Sequence, residues 1–259
     1  MRFKRIRFSY LYKIWFLAWY RNIARYNRTY LGSLWIGLTN LLQVVVLGLV
    51  YGTVFKVPSA KDYFIFLGFG ISIWTFIGGC LVSFSDLLIR EKNRILNYSG
   101  SIYDILAEEY IFQVQVFLQA LGMLIAVLIF FDSSIILNLF SAIGPLIVMF
   151  IGVFWISIIT SVASLWIRDI AQIIPVIVQL LFLTSPIMYR KEALGGLQFL
   201  TKFNLLYQYL GPPREAFISG NVDSIRTIIS IVVSSIFLLV SIKLVIKLKY
   251  KFIALIAEL

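Results

Sequence analysis

A chain of 259 residues that is 61% hydrophobic and 14% charged, with a mean hydropathy of +0.93, cannot cover itself with charge. A soluble domain carries about 25% charged residues, so lipid must solvate much of this one. The net charge of +11 does not point to nucleic acid, because the basic residues sit at the edges of apolar segments, where anionic headgroups lie. The sequence has no histidine, which excludes His-based catalysis and His metal sites, and its single cysteine, Cys80, cannot form an internal disulfide.

Residues 1–30 predict an amphipathic helix lying in the membrane interface on the cytoplasmic side. Phe8, Tyr12, Trp15, Trp19, Ile23, Tyr26 and Tyr30 recur at steps of three and four and form one stripe. Arg21, Arg25 and Arg28 recur on the opposite side. Rings on one face and guanidinium groups on the other suit the headgroup region. No short apolar core with a small-residue cleavage site follows the basic start, so no cleavable signal peptide is expected.

Residues 31–259 predict an all-α domain of six transmembrane helices. About 20 apolar residues cross about 30 Å of hydrocarbon, and six segments qualify: 34–55, 63–84, 110–131, 139–167, 170–189 and 225–245. Only Arg168-Asp169 separates the fourth from the fifth, which implies a tight hairpin in which Asp169 caps the fifth span and Arg168 closes the fourth. With the N-terminus inside, sixteen of the 23 Lys and Arg residues fall on the inner side. Both termini are therefore expected in the cytoplasm. The inner segment 85–109 is charged and helix-prone in its first half. The outer segment 190–224 is too long for a bare loop. Its short apolar pieces, broken at Gly195-Gly196 and at Gly211-Pro212-Pro213, predict helices that dip into the outer leaflet and return.

No catalytic constellation emerges. Asp104, Glu108 and Glu109 are the densest acidic cluster, and they lie where acidic residues favour a helix N-terminus. An enzyme acting on a lipid would have only these residues, with Asp86 and Glu91, to work with. There is no phosphate-binding loop and no dinucleotide fingerprint, so any ATPase is on another chain. The span interiors offer Gln43, Gln113, Gln115, Gln119 and Gln179 but no charge. That argues against an ion-coupled carrier, which needs a titratable group there. The glutamines suit either helix-to-helix hydrogen bonds or the hydroxyls of a sugar polymer.

The landmarks together resemble one family. They are R-Y-x-x-x-x-L-G-x-L-W at 25–35, R-I-L-N-Y-S-G-S-I-Y-D at 94–104, R-D-I at 168–170, S-P-I-M-Y at 185–189, F-N-L-L-Y at 203–207, P-R-E-A at 213–216 and K-L-K-Y-K-F at 247–252. In order and spacing they resemble the membrane subunit of ABC-2 type polysaccharide exporters, which serve O-antigen, capsule and teichoic acid export. Residues 96–98 and 102–104 look nearer to capsule exporters, whereas the ending looks nearer to O-antigen exporters.

The resemblance implies a non-enzymatic permease in the bacterial inner membrane. It implies a homodimer with two copies of a separate ATP-binding subunit that carries Mg-ATP, and no cofactor or metal on this chain. The substrate implied is an undecaprenyl-diphosphate-linked glycan passing along the dimer interface. A small-molecule or drug exporter of the same architecture is the alternative. By position, Arg90, Arg94, Leu96, Asn97, Tyr98, Ile102, Tyr103 and Asp104 would meet the ATPase. Arg21, Arg25 and Arg28 would meet the lipid diphosphate or the headgroups. Phe203, Asn204, Tyr207, Arg214 and Glu215 would belong to the outer re-entrant segment.

Overall fold

The computed structural model describes residues 2–97 and 101–258; within them, the side chains of 2–9, 97, 192–194, 197, 200, 202, 249–250, 254–255 and 257–258 lie outside the description. Every regular element among the described residues is helical: α1 (Arg2–Tyr26), α2 (Leu34–Val54), α3 (Ala60–Arg90), α4 (Lys92–Asn97), α5 (Ile102–Leu128), α6 (Ser134–Trp166), α7 (Asp169–Thr184), a 3-10 segment (Lys191–Phe199), α8 (Leu200–Phe203), α9 (Leu205–Ser219) and α10 (Ser224–Glu258). Among the described residues five helices are long and apolar enough to cross a membrane: α2, α3, α5, α6 and α10.

The organising element is α3, which is mostly buried, while α2 and α10 are mostly exposed. The Ser59 hydroxyl starts α3 by accepting the Asp62 N–H at 3.3 Å. Its 31 residues span about 46 Å at 1.5 Å per residue, well beyond the hydrocarbon. Helices α2, α5, α6, α7 and α9 all pack on it. Glycines make the close approaches possible: a Cβ on Gly68 would stand 2.9 Å from Leu124, and one on Gly78 2.9 Å from Val178. Phe69 of α3 stacks on Phe217 of α9, with ring centroids 4.5 Å apart. With the end of the bundle that holds Arg90 called inner and the opposite end outer, after the orientation expected from charge, Lys61 Nζ at the outer end lies 3.0 Å from the Asp132 carboxylate. Hydrogen bonds from Ser134 and Lys61 hold that carboxyl down at about 2.

The inner ends run further than hydropathy predicts. No helix breaker follows Phe84, so α3 continues to Arg90, and α5 begins at Ile102. The inner connection thus shrinks to α4 and its flanks. Helix α10 likewise continues past 245, and Val245, Phe252 and Ile256 pack with Phe84, Leu87 and Ile102 in a second, inner core.

Three further expectations are corrected. Helix α7 stops at Thr184, not at 189, because a residue before proline avoids the α region and Ser185, which precedes Pro186, is extended. Its 16 residues reach only about 24 Å. Asp169 does not cap it: Arg168 holds the N-cap position with no side-chain cap hydrogen bond, and Asp169 opens the helix. The Gly211-Pro212-Pro213 run does not break the outer segment, since α9 runs through both prolines. The break at Gly195 is real, with φ at +50°.

Helix α9 is held against α6 by Tyr209, whose ring lies over Gly152 and whose hydroxyl meets Trp155 Nε1 at 3.3 Å and Ser234 at 3.2 Å. A Cβ on Gly152 would run into that ring. Gly152→Val is expected to cost about 1–3 kcal/mol by overpacking, read as a lower thermal unfolding midpoint in detergent, with a smaller loss in Gly152→Val/Tyr209→Ala.

Candidate functional site

Two arrangements bring the predicted site residues together, one at each end of the bundle. At the inner end, Glu108 and Glu109 of α5 are 7% and 2% exposed. Charges so enclosed persist only with partners. Three other helices supply them. Arg21 of α1 reaches Glu109 at 2.5 Å and Glu108 at 3.7 Å. Arg94 of α4 reaches Glu108 at 2.5 Å, and Arg90 of α3 reaches Glu109 at 3.8 Å. Gln113 Nε2 donates to Glu109 at 3.1 Å. The hydrogen bond to Glu108 raises the Arg94 guanidinium above its already high ordinary range. Arg90 also pairs with Asp86 one turn back at 2.9 Å, and Arg94 with Glu91 at 3.8 Å.

The acidic cluster therefore divides by role. Asp104 caps α5: its carboxylate accepts the Ser101 N–H at 3.3 Å, while the Ser101 hydroxyl accepts the Tyr103 N–H. Its other oxygen accepts from the Tyr10 hydroxyl of α1, and burial with that hydrogen bond pushes the Tyr10 phenol up to about 12. Glu108 and Glu109 are the receiving end of the arginines. Nothing in sequence spacing signals this, because Arg21 and Glu109 are 88 positions apart.

Helix α1 docks on α5 through Ile14, Ala18 and Asn22, which recur at steps of four and are buried. Gln115 Nε2 fixes the register by donating to the Trp15 carbonyl at 3.0 Å. Tyr12, Trp15, Trp19 and Ile23 remain exposed on an adjacent face. The helix ends at Tyr26, so Arg28 and Tyr30 follow it in a turn and do not extend its faces. Arg21 flanks the docked face and lies 4.0 Å over the Phe112 ring, turned inward. Arg25 and Arg28 stay exposed.

Of the remaining inner candidates, Leu96 is exposed, Tyr103 is half-buried, and Ile102 is shut inside the inner core. Asn97 ends α4, and Tyr98 lies outside the described residues. Arg168 and Asp169 are both exposed at the α6–α7 turn.

At the outer end, Arg214 of α9 is 3% exposed and makes no ion pair among the described residues. Its Nη1 donates to the Pro186 carbonyl at 2.8 Å, its Nη2 lies 3.4 Å from the Tyr207 hydroxyl, and its guanidinium lies 4.2 Å over the Phe66 ring. Asn204 caps α9 through Tyr207 N–H and donates to Ser185 Oγ at 2.8 Å. Tyr63 donates to the Met188 carbonyl at 2.7 Å. The carbonyls of the irregular 185–189 segment are thus met by donors from α3 and α9. Phe203 and Glu215 are exposed.

Two apolar helices carry exposed polar side chains along one face. Thr39, Gln43 and Thr53 recur on α2 at steps of four and ten; Gln172 and Gln179 recur on α7 at a step of seven. The buried polar pair nearby is Asn40 with Ser72, at 2.8 Å.

A family model described as ABC-2 type transporter matches residues 12–218. The chain belongs to that membrane family, and is therefore a multi-pass transport permease of the kind that works with a separate ATP-binding subunit. No curated protein matches it significantly.

Removing Arg21 strips Glu109 of its nearest cation, and unpairing a buried charge costs about 3 kcal/mol or more in the fully enclosed case. Arg21→Met is therefore expected to lower thermal stability in detergent, and Arg21→Met/Glu109→Met to recover a substantial part of the loss. Additive losses would show that the pair does not interact.

Proposed function

We propose that two copies of this subunit, joined to two copies of an ATP-binding subunit that carries Mg-ATP, export an undecaprenyl-diphosphate-linked polysaccharide of the O-antigen or capsule type across the bacterial inner membrane. The observation that carries the reading is the pair of faces on α2 and α7 that expose the Gln43, Gln172 and Gln179 amides, beside Thr39 and Thr53 whose hydroxyls donate to carbonyls of their own helix and keep acceptor capacity. Polar side chains facing lipid are costly, and in membranes they face a partner helix or an aqueous cavity. Uncharged amides and hydroxyls bond sugar hydroxyls without requiring an ion to move with them. No Asp, Glu, Lys or Arg lies midway along any span, which supports a substrate driven by ATP on another chain and not by a proton relay.

In this reading α7 is the fifth of the six spans, short because it is completed by the irregular 185–189 segment. Both termini are cytoplasmic, and α9 is the outer re-entrant helix. The inner end of α3 with α4 and Arg90, Arg94, Leu96 and Tyr103 meets the ATP-binding subunit. Movement there reaches α1 and α5 through the arginine–glutamate cluster, because Arg90 and Arg94 share their carboxylates with Arg21. Arg25 and Arg28 remain free for the lipid diphosphate at the inner leaflet, while Arg21 is engaged by Glu108 and Glu109.

The test is ATP hydrolysis by the subunit co-purified with its ATP-binding partner in proteoliposomes. Lipid-linked glycan is expected to stimulate it, and Arg94→Ala to remove the stimulation while the two subunits still co-purify. Stimulation by hydrophobic small molecules and not by glycan would establish the drug-exporter alternative.

A further inference from the structure

A cavity of about 260 Å³ opens between α9 and the first turns of α10, beside the bend-prone Pro145 of α6. It is not part of either arrangement described above, and its lining is mixed: charged Glu215, Asp223 and Arg226 border it together with apolar Ile229 and Val233 of α10. Among the described residues none of the three charged side chains has an ion pair, although all three border one space. The Asp223 carboxylate accepts the Arg226 backbone N–H at 3.0 Å as the cap of α10, and the Arg226 guanidinium lies 3.4 Å from Gln208 Oε1. The apolar lining continues into the exposed face of α10, through Ile225, Val232 and Ile236. With the N-terminus inside, this cavity lies at the outer surface of the bilayer, where α10 enters lipid.

We propose that this cavity binds one phospholipid with a primary-amine zwitterionic headgroup, of the phosphatidylethanolamine class. Arg226 meets the phosphate, since a guanidinium suits phosphate oxygens. Glu215 and Asp223 accept the ammonium N–H groups. An acyl chain follows Ile229 and Val233 down α10. A choline headgroup fits this lining poorly, because quaternary ammonium is held by aromatic cages and Tyr209 is the one aromatic side chain around the cavity among the described residues. An anionic headgroup without an amine would leave both carboxylates facing its phosphate. The inference rests on the outer placement of the α9–α10 junction and not on the transported substrate, so it stands or falls separately from the glycan reading.

The experiment is native mass spectrometry of the delipidated protein after exposure to equimolar phosphatidylethanolamine, phosphatidylcholine and phosphatidylglycerol with identical chains. Retention of one phosphatidylethanolamine per chain is expected, with a preference of about tenfold over phosphatidylcholine, the scale of one charge-assisted contact. Glu215→Gln/Asp223→Asn is expected to abolish the preference; asparagine still caps a helix, so the fold is retained. Arg226→Gln is expected to lower retention of all three. Stepwise N-methylation of the headgroup, tested on the unaltered protein, is expected to lower retention with each N–H lost. Equal retention of ethanolamine and choline lipids, or a preference that survives the paired acidic substitution, would overturn the proposal.

Discussion

Two adjacent carboxylates cannot be enclosed in protein at the edge of a membrane without cations, and the inner half of this molecule is built around that requirement. Glu108 and Glu109 sit in the second turn of α5, and the three arginines that answer them come from α1, α3 and α4. Each helix is thereby tied to the same pair of side chains. The cluster does more than add stability, because buried ion pairs repay little beyond their own desolvation. Its effect is geometric: the end of α3 cannot shift without changing the surroundings of the carboxylates that also hold α1. Helix α1 is thereby fastened to the bundle by charge as well as by its Ile14–Ala18–Asn22 face, with its aromatic face left exposed.

The outer half solves a different problem, that of unwound backbone. Pro186 stops α7 short, and the carbonyls that follow need donors. Arg214 and Tyr63 donate to the Pro186 and Met188 carbonyls from two other helices, and Asn204 donates to the Ser185 hydroxyl. Arg214 does so as an enclosed cation lying over the Phe66 ring and facing a carbonyl. Helix α3 links the two halves. Its glycines admit α5 and α7 closely, its outer end carries Tyr63 and Phe66, and its inner end carries Arg90.

The helices were legible because apolar runs of about 20 residues in a chain with so little charge have few other uses. The helical state of α1 was legible in its three-and-four spacing, but not its docked face, which is Ile14, Ala18 and Asn22 rather than the aromatic stripe; the break at Gly195 was legible in the glycine pair. Hydropathy misplaced the inner boundaries, since it reports where lipid ends and not where hydrogen bonding ends; α3, α5 and α10 all continue as helix into the polar side. Proline was read too strongly at 212–213, where packing of α9 on α3 and α6 overrides local preference, and too weakly at Pro186. The arginine–glutamate cluster was invisible because it joins residues far apart in sequence. Arg21 was therefore assigned to headgroups and Glu108 and Glu109 to capping, when each is the other's partner. The exposed glutamines of α7 became informative only once the structure showed which faces of the bundle remain uncovered.

Those uncovered faces bear the central claim, that a second copy meets this one along α2 and α7 and that the path between them is polar and uncharged. Cys80 is wholly buried, so an introduced thiol reports without background. The most direct measurement is oxidative cross-linking in native membranes of Gln43→Cys and Gln179→Cys, compared with Ile236→Cys on the lipid-facing side of α10. The account predicts covalent dimers from the α2 or α7 variant and none from α10. Dimers through α10 alone would contradict it.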